Sequence, residues 1–372
     1  MITGFGTGGA ERVLLQTVRR LDAARFSSFI VSLRDRGPLS DHADASGAEV
    51  LYLSAGARPG PLIVWRLARL FRERAVDIVH AYLYDASLAA RVAARISRVP
   101  VVLTSTRASL GYLPKIAWWL DRITARWSQR IIAVSNGTAD FIVRREGIPA
   151  EKVVVIPNGV DVSLFHPGDR RAARANLAIP QDAFVVACVG RLREQKGHRY
   201  LLDALDAVRS EIPSILCLIA GEGPLSGQLE ARAQLLGLAG VCRFLGLVNP
   251  IQHVYEAADV LVLPSLYEGM PNVVLEAMAT GRPVIATAVE GSTDLVVPSV
   301  TGILIPAGNV GALATALLRL ARDPDRREEM GRQSRLIAER KYGIERMVAA
   351  VERLYLKEFA QRKRRMTGGA DA

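Results

Sequence analysis

The stretch Glu268-Gly269-Met270-Pro271-Asn272-Val273-Val274-Leu275-Glu276 decides how this chain is read. It follows the apolar run Val260–Leu263 and the pair Pro264-Ser265, so a strand should end and a helix begin within it. Pro271 suits the first turn of a helix, where a missing N–H has no intrahelical acceptor to lose. Glu268 then lies in the strand-to-helix loop. Glu276 lies about five residues into the helix, on the face that Asn272 opens. The N–H groups of Asn272 and Val273 point off the helix start and favour an anion. A carboxylate accepts two hydrogen bonds, which matches a vicinal diol on a sugar or a ribose. One loop thus offers two diol acceptors, Glu268 and Glu276, around a helix end made of Gly269, Met270, Pro271, Asn272 and Val273. Either glutamate alone reads as well as a solvated surface acid; the arrangement is what points to a ligand.

Outward from this segment, short apolar strands alternate with amphipathic helices twice. In the first half the strands are placed at Ser28–Leu33, Glu49–Leu53, Asp77–His80, Val101–Ser105, Ile131–Ser135 and Val153–Ile156. Helical periodicity covers Ala10–Leu21, Leu62–Arg74, Ala86–Ile96, Lys115–Gln129 and Thr138–Glu146. Val-rich runs separated by helices predict parallel sheets built from βαβ units. Pro157-Asn158-Gly159 and His166-Pro167-Gly168 punctuate the chain as turn and linker. A second set of strands follows at Phe184–Val189, Ile215–Ala220, Val241–Leu245, Val260–Leu263, Pro283–Ala286 and Gly302–Ile305. The expectation is an α/β chain of two doubly wound, Rossmann-like domains, residues 1–166 and 167–342, facing a cleft. Residues 343–361 would form a helix, and 362–372 a flexible basic tail. Only Met1 and Ile2 precede the first glycine loop, so its feeding strand is either truncated or very short.

The 372 residues suit two domains, and a half-hydrophobic, 23% charged composition argues against disorder. No run approaches the roughly 20 apolar residues of a membrane span, and no secretory pattern opens the chain. Cys188, Cys217 and Cys242 sit in apolar runs and read as buried thiols of a reducing cytoplasm. Net charge is +11, with 22 Lys+Arg against 14 Asp+Glu through His166. That excess suits an anionic partner, or simply an arginine-rich surface.

Further basic and glycine-rich segments end other strands. Val189-Gly190-Arg191-Leu192 closes one strand, and Lys196-Gly197 opens the next helix. Arg191 and Lys196 are the candidates to neutralise a diphosphate, although singly each reads as one basic residue among 48. Gly221-Glu222-Gly223-Pro224 ends another strand and reads equally as a simple turn. Gly8 and Gly9, ahead of Ala10-Glu11-Arg12, let the backbone approach a phosphate. The run Gly4 to Gly9 also fits G-x-G-x-x-G, with Asp35 downstream. An NAD(P)-dependent oxidoreductase is therefore the second reading, weakened by the near-absent feeding strand.

Taken together, these motifs resemble the family 4 glycosyltransferases, retaining enzymes of the GT-B fold, of the bacterial polysaccharide- and glycan-assembly type. The resemblance rests on Gly8 to Arg12, Asp77 to His80, Asn158 to Asp161, Val189 to Leu192 with Lys196, Gly221 to Gly223, Phe244 to Gly246, and Glu268 to Ala277. They occur in family order across nearly the whole chain. The resemblance implies that Glu268 contacts the donor sugar, that Glu276 holds the nucleotide ribose, and that Arg191 and Lys196 bind the diphosphate. It also implies that the last helix returns to the N-terminal domain. Many relatives carry a His after the fourth strand; here Leu103-Thr104-Ser105-Thr106-Arg107 stands there, as Arg does in some polysaccharide-assembly members. Arg107 and His80 are the candidate sugar or acceptor contacts, though a strand-end His that merely packs is an equal reading of His80.

No metal or other cofactor is expected. Asp323-Pro324-Asp325 has the D-x-D spacing but precedes a helix, where Asp is usually a cap. Lys115–Arg130 combines Trp118, Trp119 and Trp127 with Lys115, Arg122, Arg126 and Arg130. It reads as an amphipathic helix for an anionic membrane surface or as an ordinary packed helix, in equal measure. Nothing resembles a nucleic-acid recognition motif. The expected partners are a nucleotide-diphosphate sugar, UDP by resemblance, and a glycan or polyprenyl-linked acceptor. The expected location is the cytoplasm, at the inner face of the plasma membrane.

Overall fold

The computed structural model describes residues 1–6, 8–56, 60–107 and 115–367, with only backbone at Lys115, Met366 and Thr367. Thr7 of the glycine loop, the side chain of Lys115 and the tail 368–372 lie outside the described residues. The chain divides into two compact units, Met1–Gly159 with Ile344–Ala372, and Val160–Gly343.

In the first unit the strands are β1 (Phe29–Ser32), β2 (Glu49–Tyr52), β3 (Ile78–Tyr82), β4 (Val101–Thr106), β5 (Arg130–Ala133) and β6 (Val153–Val155). β1 pairs with β2, and β3 to β6 pair in sequence, all parallel. Ile2 joins the two groups. It bridges Ser32 and Tyr82, its N–H donates to Val31 O at 2.9 Å, and its carbonyl accepts from Leu33 N at 3.0 Å. The strand ahead of the glycine loop is thus a single bridged residue, fully buried. With Ile2 in the central slot, the order β2-β1-Ile2-β3-β4-β5-β6 is that of a Rossmann sheet.

Helices cover both faces of this sheet. The helix Ile344–Thr367 buries Ile344, Met347, Val348, Val351, Leu354 and Tyr355 in the same core as Ile2, Phe5 and Leu103. That spacing of three and four is the apolar stripe of an amphipathic helix. The opposite face packs Leu67, Ala68 and Phe71 against Val79, Ala81 and Val102. The helix runs through Arg362-Lys363-Arg364-Arg365, which corrects the expected flexible tail from 362 up to Thr367. Arg and Lys are good helix formers, and their charge suits a helix C-terminus.

The second unit holds β7 (Phe184–Val189), β8 (Ile215–Ala220), β9 (Cys242–Gly246), β10 (Val260–Leu263), β11 (Val284–Thr287) and β12 (Gly302–Ile305). Their order, β12-β11-β10-β7-β8-β9, is again doubly wound and all parallel. The strands are apolar on both faces because helices cover both. Val185, Val186 and Ala187 are fully buried. The helix His198–Val208 contributes Leu201, Leu202, Leu205 and Val208 to the core. Each such aliphatic side chain adds about 1.5–3 kcal/mol of transfer free energy.

The division falls after Gly159, not after His166. Residues 160–166 are bonded into the second unit. Val160 N–H donates to Tyr342 O at 2.8 Å, and Arg335 Nη1 donates to Phe165 O at 2.7 Å. The Phe165 ring meets Tyr255 edge-on at 6.0 Å.

Candidate functional site

In the second unit, the segment from Glu268 to Glu276 leaves the carboxyl end of β10 as expected. Glu268 is buried, and two groups bond its carboxylate. Lys196 Nζ donates to its Oε1 at 2.5 Å. Ser265 Oγ donates to the same oxygen at 2.7 Å, and Ser265 is itself fixed by Thr287 Oγ1, which donates to its carbonyl at 2.5 Å. The loop after β7 is stitched to the loop after β10 at two further points. Leu266 N–H donates to Gln195 O at 2.7 Å, and Gln195 Nε2 donates to Tyr267 O at 2.9 Å. Lys196 occupies the last position of the 3-10 turn Glu194–Lys196, which ends at Gly197 with φ +65°. A Cβ at Gly197 would overlap Pro264 O, so glycine lets these two strand ends meet.

The helix opens at Asn272 rather than at Pro271. Pro271 has extended backbone (φ −76°, ψ 110°) and stands at the N-cap. It is one position earlier than expected because its ψ is not helical. Gly269, Met270 and Pro271 are buried, and Asn272 and Val273 are half-buried. Glu276, half-buried, accepts from Tyr255 Oη at 2.6 Å through Oε2. Arg191 is exposed, and its side chain makes no hydrogen bond or ion pair among the described residues. His198, two residues after Lys196, is buried with both ring nitrogens unpartnered among the described residues. Burial pushes its pKa down to about 4, so a neutral ring follows the lysine and adds no competing charge. A depression of about 480 Å³ opens at the ends of β8 and β9, lined by Leu192, Gly221, Glu222, Gly223 and Phe244 among others.

In the first unit, Gly8 caps the helix Gly9–Arg20. The space that a side chain at Gly8 would take is filled by the carboxylate of Glu11, whose Oε1 also lies 3.1 Å from an ideal Cβ at Gly6. The loop's glycines are therefore explained in part by its own acid. Asp35, the residue a dinucleotide ribose would need, accepts from Ser54 Oγ.

His80 is buried and engaged at both nitrogens. Nδ1 is 2.7 Å from Tyr355 Oη and Nε2 is 2.7 Å from Ser105 Oγ. Burial holds its pKa well below the usual histidine value. The structure gives its polar atoms to the core, which favours the packing reading over a sugar contact. Arg107 follows the last residue of β4, stacks over Tyr82 at 4.7 Å and donates Nη1 to Asn158 Oδ1.

Asp323 caps the helix Pro324–Tyr342, accepting from Arg326 N–H at 2.9 Å. Among the described residues, no group of three His, Cys, Asp or Glu is placed to hold a metal ion. None of the helices there is long and apolar enough to cross a membrane.

Residues 7–164 match Glycosyltransferase Family 4, and residues 169–337 match the glycosyl transferases group 1. The UDP-Gal:alpha-D-GlcNAc-diphosphoundecaprenol alpha-1,3-galactosyltransferase of Escherichia coli is 30% identical over 334 residues, 85% of each chain. The chain belongs to the family 4 glycosyltransferases. The alpha-maltose-1-phosphate synthase of Mycolicibacterium smegmatis is 31% identical over 281 residues, 69% of this chain and 73% of that one. In fold, this glycosyltransferase superposes on the HepE protein of Anabaena, crystallised with UDP, with a TM-score of 0.86. That match covers 96% of this chain and 98% of the other at 22% identity. The fold is GT-B, and the oxidoreductase reading of the first glycine loop falls with the family assignment.

Sequence reasoning missed Ser265, Tyr255 and Thr287. Ser265 was visible three residues before Glu268. Tyr255 and Thr287 reach the site from other elements, and no local spacing marks them.

Proposed function

We propose that this glycosyltransferase moves a sugar, with retention of anomeric configuration, from a UDP-sugar to a lipid-linked glycan. The observation that carries this reading is the Lys196–Glu268 pair at the adjoining ends of β7 and β10. An ammonium has three donors. One is spent on Glu268, which leaves others for diphosphate oxygens. Glu268 keeps one oxygen for donor-sugar hydroxyls, and Glu276 presents its carboxylate to the ribose. The first turn of the helix Asn272–Ala279 adds its partial positive charge. Arg191, exposed and uncommitted, completes the neutralisation of the leaving diphosphate. The departing phosphate takes the acceptor's proton on the same face of the sugar. With two cations in place for the leaving group, no metal is required, and no cofactor enters.

The acceptor class is supported by the printed name of the Escherichia coli relative, which acts on a diphosphoundecaprenol-linked sugar. A peripheral site at the cytoplasmic face of an anionic membrane fits the surface of the first unit. In the helix Lys115–Ala125, Ile116 and Trp119 are exposed, as is Arg122. Trp118 instead packs edge-on against Phe141, and Arg130 is tied to Glu358 at 2.8 Å. Leu62 and Trp65, on the helix Pro61–Glu73, are exposed as well. Nucleic acid is not a partner in this reading.

A thermal-shift screen of nucleotide sugars, followed by donor hydrolysis on the hits, tests the proposal. A UDP-sugar should stabilise the wild type and not Lys196→Ala. Stabilisation by nicotinamide dinucleotides alone would overturn it.

A further inference from the structure

Two guanidinium groups reach into the first unit, Arg91 fully buried and Arg107 half-buried, and the chain treats them differently. Arg91 is 2% exposed, paired with Asp121 at 2.6 Å, and bonded also to Ser128 Oγ at 2.9 Å and Thr104 Oγ1 at 3.0 Å. Every part of that cation is answered. Arg107 is not. Its Nε is buried without an acceptor, its Nη1 meets the neutral amide of Asn158, and its remaining contact is the phenol of Tyr82, which it overlies and hydrogen-bonds, a neutral partner again. The charged or titratable groups that influence it are the phenols Tyr82 and Tyr355, and the neighbouring His80 is held neutral by burial. Among the described residues no carboxylate pairs with it; Glu11, the buried acid of the glycine loop, forms no ion pair with it.

A desolvated guanidinium without a counter-ion is costly, and chains keep such a cost where a ligand supplies the missing charge. Arg107 sits just past β4, at the carboxyl edge of a doubly wound sheet, where ligands bind. A planar guanidinium suits a two-oxygen anion. We infer that Arg107 is the docking group for an oxyanion carried by a substrate, either a phosphate of the acceptor or a carboxylate on a sugar. The identity of the carrier rests on the glycosyl-transfer reading; the anion site does not.

The test uses the full chain carrying Arg191→Ala and Lys196→Ala, so that the second unit's cations are silent. Its melting temperature is measured in chloride, inorganic phosphate and acetate at equal ionic strength, with and without Arg107→Gln. The expected result is an anion-specific rise that Arg107→Gln abolishes, with phosphate or acetate marking the chemistry. Equal behaviour with and without Arg107→Gln would overturn the inference. In chloride, single Arg107→Gln should melt at or above the wild type, because an unanswered buried charge is removed; a clear loss of stability would show a structural role instead. With turnover established, Arg107→Gln should lower kcat/KM about 10–100-fold for the anionic substrate. UDP-glucuronate against UDP-glucose, and a phosphate-linked against a phosphate-free acceptor, locate the anion. Arg107→Lys should recover part of the loss. Equal losses for charged and neutral substrates in both arms would sink the inference. If no donor turns over at all, the glycosyl-transfer reading fails, while the melting experiment still decides Arg107.

Discussion

Lys196 Nζ lies 2.5 Å from Glu268 Oε1, and this contact ties the turn after β7 to the loop after β10. The cation proposed for the diphosphate and the acid proposed for the sugar thereby hold each other in place. Lys196→Ala should reduce kcat by about 100- to 1000-fold, the scale of removing one preorganised charge from a leaving group. The cooperative unfolding transition should persist, since Ser265 still donates to Glu268. Steady-state kinetics beside a thermal melt check this; near-normal turnover would remove Lys196 from the mechanism.

Gly197 is the hinge of the same contact. Alanine there takes on a left-handed φ, at a cost on the order of 1–2 kcal/mol, and presses its Cβ into Pro264 O. Gly197→Ala should lower the urea midpoint and weaken donor binding together. A variant with wild-type stability and affinity would show that the strand ends need not meet so closely.

Glu146 gives a pH signature. Burial, and then the charge of Asp121, raises its carboxyl from the ordinary value near 4.5 to about 8. Both its oxygens are without partners among the described residues. Between those two values the folded chain holds a proton that the unfolded chain has released. Stability from this group is thus complete below about pH 4.5 and is lost as pH rises toward 8, by an amount on the order of a few kcal/mol. Glu146→Gln should flatten that decline and be more stable than wild type at pH 8. Parallel pH profiles for the two proteins would contradict this.

Activity should be insensitive to chelation. Asp323 spends its carboxylate on Arg326 N–H, so the D-x-D spacing at 323–325 describes a helix cap. Turnover after extensive dialysis against EDTA should match the untreated enzyme. A loss restored by Mg²⁺ or Mn²⁺ would require a metal site elsewhere.

Binding to vesicles should depend on Ile116, Trp119 and Arg122 and not on Trp118 or Arg130, which are committed to Phe141 and Glu358. Co-sedimentation with vesicles containing anionic lipid should fall for Ile116→Ser/Trp119→Ser and for Arg122→Glu. Binding unchanged by these substitutions would leave the helix as ordinary packing.

Much of the fold was legible because the strands are short apolar runs buried on both faces. β7, β8, β10 and β12 start and stop where the sequence pattern does. The elements that escaped are those set by distant partners. Ile2 acts as a strand only because Val31 and Leu33 bond to it. The unit boundary lies after Gly159 because Tyr342 captures Val160. Within the site, the order of Arg191, Lys196, Glu268 and Glu276 along the chain was readable, since each follows a strand end. That Tyr255 holds Glu276, and that Tyr355 holds His80 from 275 residues away, was not. Such bonds leave no local period for a sequence reading to find.

Retaining transfer from a UDP-sugar leaves its mark in the anomeric configuration of the product. Wild-type protein, a UDP-sugar identified by thermal shift and a polyprenyl-diphosphate-linked acceptor should yield UDP and a new glycosidic bond. Proton NMR of that product should show the donor's own anomeric configuration. An inverted product, or a chain that no UDP-sugar stabilises and that releases no UDP, would contradict a retaining UDP-sugar transferase.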